Sequence, residues 1–96
     1  MTIRETAILM DEIRIFYSIF GNNAHDHAKM VMLWHECIRE ISFEEGHAAL
    51  ITYVRGERAI YPPAPGTLLE IAREKRLMEK AERNSEEGDK DHVNHA

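Results

Sequence analysis

Three times along this chain a hydroxyl residue stands three positions ahead of a glutamate: Thr2 with Glu5, Ser42 with Glu45, and Thr67 with Glu70. At a helix start this spacing lets the hydroxyl accept a hydrogen bond from a free backbone N–H while the glutamate accepts one in return. Each pair precedes a segment whose apolar residues recur at three and four positions. One such pair is a weak signal. Three, each ahead of a periodic segment, constrain the chain to an all-α fold, a small bundle of about four helices.

The first helix is expected over about 3–20, stopped by Gly21 in the left-handed conformation with Asn22 and Asn23 as turn residues. Its main apolar face is Ile3, Ala7, Met10, Ile13, Tyr17 and Phe20, widened by Leu9 and Phe16. A second stripe, Ile8, Ile15 and Ile19, lies on the other side, separated by acids and Arg4. A helix with two apolar faces is either buried centrally or offers one face to a partner. Burial of the isoleucines in the domain is the simpler expectation, and a partner surface is the alternative.

The second helix is expected over about 26–41, with Met30, Leu33, Trp34, Cys37, Ile38 and Ile41 on one stripe and Met32 opposite. Trp34 sits midway in that stripe and should centre the core. The third helix should follow Ser42 and run to about Arg55, with Phe43, His47, Leu50 and Val54 facing inward. Gly46 suits a close helix crossing at a cost in helix propensity.

Gly56 and the run Tyr61-Pro62-Pro63-Ala64-Pro65-Gly66 form a stiff extended connector. The fourth helix should start near Pro65 or Thr67 and pack through Leu68, Ile71 and Ala72, assisted by Leu69. Beyond about Arg76 the stripe is lost, although good helix formers continue to Arg83. The stretch from Asn84 onward is acidic and holds too little apolar area to offset the entropy of its own ordering. The expected organisation is a helical domain over 1–76, then a C-terminal region over 77–96, partly helical and then a disordered acidic tail.

At 96 residues the chain makes one domain with one modest core, poor ground for a deep active site. The net charge of −5 argues against a dominant electrostatic grip on nucleic acid. Cys37 is the single cysteine, so no internal disulfide and no cysteine metal cage can form. It should lie buried as a small hydrophobe rather than act as a nucleophile. No signal-peptide pattern and no run of membrane-spanning length is present, so the expected location is the cytoplasm. The six histidines make no HExxH and no Cys/His cluster, and read better as surface and core residues than as metal ligands. The glutamate pairs among Glu36, Glu40, Glu44 and Glu45 suit solvated helix faces, and no Gly-rich phosphate loop occurs. The expectation is a binding protein with no catalytic, cofactor or metal site.

Arg73, Lys75, Arg76, Lys80 and Arg83 form a basic series on the last helix, interleaved in sequence with Glu70, Glu74, Glu79 and Glu82. An ion-paired, solvated helix is the simplest account. A nucleic-acid or acidic-protein contact is the alternative, with direct nucleic-acid binding disfavoured by the glutamates.

The segment Trp34-His35-Glu36, Ile38, Ser42-Phe43-Glu44-Glu45, Ala48-Ala49-Leu50 and Tyr53, followed by Tyr61-Pro62-Pro63 and 68–76, resembles the phage replicative-helicase loader/inhibitor proteins. The likeness covers roughly 30–76. It implies an N-terminal helical domain, a C-terminal region that engages a replicative helicase, and an origin-binding initiator as a further partner. The function implied is a phage or prophage DNA-replication accessory protein that controls helicase loading. The partner-binding candidates are Arg73, Arg76, Leu77, Met78, Lys80, Ala81 and Arg83 on the last helix, with Ile8, Ile15 and Ile19 as a second surface. The rivals are a small helical DNA-binding regulator and a protein-interaction module without a replication role.

Overall fold

The computed structural model describes residues 1–22 and 25–95, with side chains as far as Asn84. Helices α1 (Ile3–Phe16), α2 (His27–Ile38), α3 (Phe43–Val54) and α4 (Pro65–His95) account for its regular structure, and no strand occurs among the described residues. Two of the expected reciprocal caps form. Thr2 Oγ accepts from Glu5 N at 3.0 Å and Glu5 accepts from Thr2 N at 2.8 Å; Ser42 and Glu45 repeat the arrangement at 3.1 and 3.0 Å. The third does not form, because α4 begins two residues earlier. Pro65 takes the first helical position, where its missing N–H costs nothing, and the Ala64 carbonyl accepts from Thr67 N at 3.1 Å. Asp26 caps α2 by accepting from Lys29 N at 3.0 Å.

Each helix packs on two others. α1 lies against α2 and α3, and α4 lies against α3 and α2, so the order around the bundle is α1, α2, α4, α3. Leu9, Met10, Ile13, Ile38, Ile41, Leu50 and Leu68 are fully buried at the centre. Burial of each such side chain contributes about 1.5–3 kcal/mol. Thr6 is buried among them, its hydroxyl satisfied by the Thr2 carbonyl at 3.0 Å. Gly46 lies where α3 meets α1: a Cβ there would stand 3.1 Å from Leu9 Cδ2 and 2.9 Å from Met1 Cε. The absent side chain lets the two helices approach.

Several expectations drawn from periodicity need correction. α1 ends at Phe16, not Phe20. Tyr17 leaves helical geometry, and the chain turns so that Phe20 can meet Trp34 edge-on, ring centroids 5.5 Å apart. Gly21 does take the left-handed conformation, at φ 77°. Trp34 is buried but flanks the core beside Phe20; the fully buried centre is aliphatic. The buried stripe of α2 is Val31, Trp34 and Ile38, so Leu33 and Cys37, roughly 100° around the helix, are exposed. His47 does not face inward: its Nδ1 meets Glu12 Oε1 at 2.7 Å on the α1–α3 surface. Ile3 and Phe16 are half exposed. Ile8, Ile15 and Ile19 are exposed rather than buried, since α1 already contacts both its neighbours through Leu9, Met10 and Ile13.

The two ends of the bundle differ. At one end the N-terminal ammonium of Met1 donates to the carbonyls of Arg39 at 2.9 Å and Ile41 at 2.7 Å, beside the start of α3. At the other, the Tyr17 hydroxyl donates to Ala59 O and the Tyr53 hydroxyl to Tyr61 O, both at 2.7 Å, with the two rings 6.4 Å apart. These bonds strap the connector across the bundle and so aim α4. Burial, then the neighbouring Tyr53, pushes the Tyr17 phenol above its ordinary value. From that end α4 runs back along α3 and α2 and continues beyond them. Its 31 residues span about 46 Å at 1.5 Å per residue, within a molecule 65 Å long. The expected disordered tail falls on 85–96, outside the residues whose side chains are described.

Candidate functional site

What α4 does after Ala72 defines the first candidate surface. Leu68 and Ala72 face the core. The next residues on that stripe are Lys75, Arg76 and Glu79, which cannot be buried without partners. The apolar seam therefore stops, and every side chain from Arg73 to Asn84 is exposed. The last attachment is ionic. The Arg76 guanidinium makes a two-pronged contact with the Glu45 carboxylate, through Nε to Oε2 and through Nη2 to Oε1 at 2.6 Å, and Nη2 also reaches Glu40 O at 3.3 Å. Arg73 Nη2 donates to Glu40 Oε1 at 2.5 Å. Glu45 thus holds both the start of α3 and the departure point of α4. Hydrogen bonds from Arg76 lower its pKa to about 2, overcoming the opposing effect of burial, with Ser42 assisting.

Beyond this clasp α4 is an arm with sided chemistry. Arg73, Arg76, Lys80 and Arg83, spaced three, four and three apart, fall within roughly 80° of one another around the helix. Glu70, Glu74, Glu79 and Glu82 fall on other sides. Charges that alternate in sequence therefore separate in space into a basic stripe and acidic flanks. Leu77, 68% exposed, lies beside that stripe in a shallow groove with Arg73, Arg76 and Lys80. Met78 and Ala81 continue around the helix, with Met78 near Ile71 and Thr52. Two of the four cations are already neutralised by Glu40 and Glu45. Among the described residues, Lys80 and Arg83 have no carboxylate within ion-pairing distance.

The second candidate surface, Ile8, Ile15 and Ile19, stands apart from the arm. Ile8 and Ile15 occupy the face of α1 opposite Leu9 and Ile13, and Ile19 lies in the turn that follows. The structure does not bring the two sets together. Sequence reasoning missed the acidic partners Glu40 and Glu45. Their separation of more than thirty residues from Arg73 and Arg76 carries no local signal. It also missed Ile60 and Tyr61, 77% and 75% exposed, which it assigned only to a connector. Among the described residues, no group of three metal-ligating side chains comes together, and no helix is long and apolar enough to cross a membrane.

Fold and surface together define a small four-helix domain that presents a charged helical arm instead of an enclosed cleft. Comparison with known families places it further: the family model for the N-terminal domain of the phage SPP1 helicase loader/inhibitor matches residues 1–69. The chain belongs to that family and so is a phage helicase-associated protein. No curated protein and no solved structure matches it. The matched residues contain α1, α2, α3 and the first turn of α4; the arm lies beyond them.

Proposed function

We propose that this chain is a phage or prophage DNA-replication accessory protein of the cytoplasm that binds a replicative helicase and controls its loading through the arm of α4. It acts by binding, without catalysis or cofactor, and an origin-binding initiator is its second partner. The observation that carries this reading is an exposed helix, clasped at its base by Glu40 and Glu45, bearing Lys80 and Arg83 beside Leu77, Met78 and Ala81. A helix that leaves its own domain with apolar residues uncovered is suited to lie on another protein. Charges alongside set orientation and encounter rate. A contact built on so few apolar side chains releases readily, as a loader that hands over its helicase requires.

The rival is a DNA-binding regulator that uses the basic stripe. With Arg73 and Arg76 paired internally, the stripe offers phosphates chiefly Lys80 and Arg83, and two phosphate contacts give weak binding at physiological salt. A protein partner is the better fit. The deciding experiment is a truncation ending at Arg76, which keeps the clasp and removes the arm. It should melt with the full chain and lose helicase binding in a pull-down with purified helicase. Binding that survives truncation would move the contact onto the bundle and refute the arm's role.

A further inference from the structure

At the tyrosine-strapped end of the bundle two segments distant in sequence present large apolar side chains to solvent. One is the end of α1 and the turn after it, with Ile15, Phe16 and Ile19; the other is the connector, with Ile60 and Tyr61. Tyr17 joins them, since its hydroxyl holds Ala59 O while its neighbours in sequence are Phe16 and, two residues on, Ile19. All five side chains are half exposed or more, although the aliphatic core lies directly beneath. Together they expose several hundred Å² of apolar surface, more than isolated surface hydrophobes provide and of the size that marks interaction sites. Both segments are anchored by hydrogen bonds at 2.7 Å, so the surface is preformed. That limits the ordering cost of binding.

Its charge is distinctive. Residues 14–21 and 55–61 contain Arg14, Arg55 and Arg58 against the single acid Glu57, a local excess of two positive charges on a chain of net charge −5. Arg14 reaches back beside Gly21, and Arg55 and Arg58 are exposed on the connector.

We propose that this end of the bundle is a second protein-docking surface, which accepts an amphipathic helix of another protein carrying acidic residues beside its apolar face. The apolar five supply the buried contact, and the three arginines select acidic flanks. The arm departs from the opposite end of the bundle, so both surfaces can be occupied at once. The domain would then bridge two proteins. This inference stands independently of what the arm binds.

The test uses isotope-labelled full-length chain titrated with a stapled amphipathic helix, leucines on one face and glutamates on both flanks, beside a twin peptide with lysines on the flanks. The glutamate peptide should shift the amides of residues 14–21 and 55–61, and salt should weaken its binding. The lysine twin should bind about tenfold more weakly or worse. Ile60→Asp should abolish the shifts. The double change Arg55→Glu with Arg58→Glu, both at exposed positions, should reverse the preference between the peptides. Equal binding of both peptides, shifts that map elsewhere, or no binding at all would overturn the proposal. So would a concentration-dependent dimer in sedimentation that Ile60→Asp dissolves, since the occupant would then be a second copy of the chain.

Discussion

Replacing Trp34 by alanine tests how the bundle is held together at its aromatic edge. The indole keeps only 7% of its surface exposed and meets Phe20 at 5.5 Å in an edge-to-face arrangement. Removing a buried tryptophan costs about 3–5 kcal/mol in lost transfer energy and residual cavity. The aromatic pair accounts for about 0.5–1.5 kcal/mol beyond area alone. Since Trp34 flanks the aliphatic centre, the site can relax in part, and the lower half of the range is expected, about 3–4 kcal/mol. A domain this size has only about 5–10 kcal/mol of stability, and each kcal/mol moves its melting temperature by about 4–8 °C. The variant should therefore melt at least about 12 °C below the parent, or be partly unfolded at room temperature. Far-UV circular dichroism is the assay, because Trp34 is the only tryptophan and its fluorescence is lost with it. Trp34→Phe serves as a control that keeps an aromatic edge against Phe20 and should lose less than half as much. An alanine variant that melts within a few degrees of the parent would show that the Phe20 turn does not depend on this contact.

Ile15→Lys should leave the melting temperature nearly unchanged, within about 0.5 kcal/mol, because Ile15 is 79% exposed; a large loss would mean that the α1 face is covered. Gly46→Leu should destabilise by about 1–3 kcal/mol or more, since even a Cβ lies 3.1 Å from the buried Leu9; a neutral urea midpoint would show that α1 and α3 can separate freely. Glu45 titrates at about 2, below its ordinary 4.5, so its contribution is complete above about pH 4.5 and disappears as pH falls through 2. Glu45→Gln should flatten that part of the acid-denaturation curve, and an unchanged acid limb would remove the clasp from the account of stability.

Local chemistry made the helix count and most helix starts legible in the amino-acid sequence. The Thr2 and Ser42 caps, Gly21 at its left-handed stop and the breaking run 61–66 act within a few residues, so a local pattern is enough to find them. The same is true of the loss of the apolar stripe on α4, where Lys75, Arg76 and Glu79 follow Ala72 on the inward side. Tertiary packing decided the rest. A periodic stripe states which residues could be buried, but the number of neighbours states which are. α1 meets only α2 and α3, so one of its two apolar faces is covered and Ile8 and Ile15 are left outside. The turn that brings Phe20 to Trp34 ends α1 early despite an unbroken periodicity. The placement of Glu40 and Glu45 under Arg73 and Arg76, and of Ile60 and Tyr61 at the end of the bundle with Phe16 and Ile19, joins positions more than thirty residues apart. Such contacts exist only once the bundle has closed, because the helix directions and the tyrosine-strapped connector bring them together.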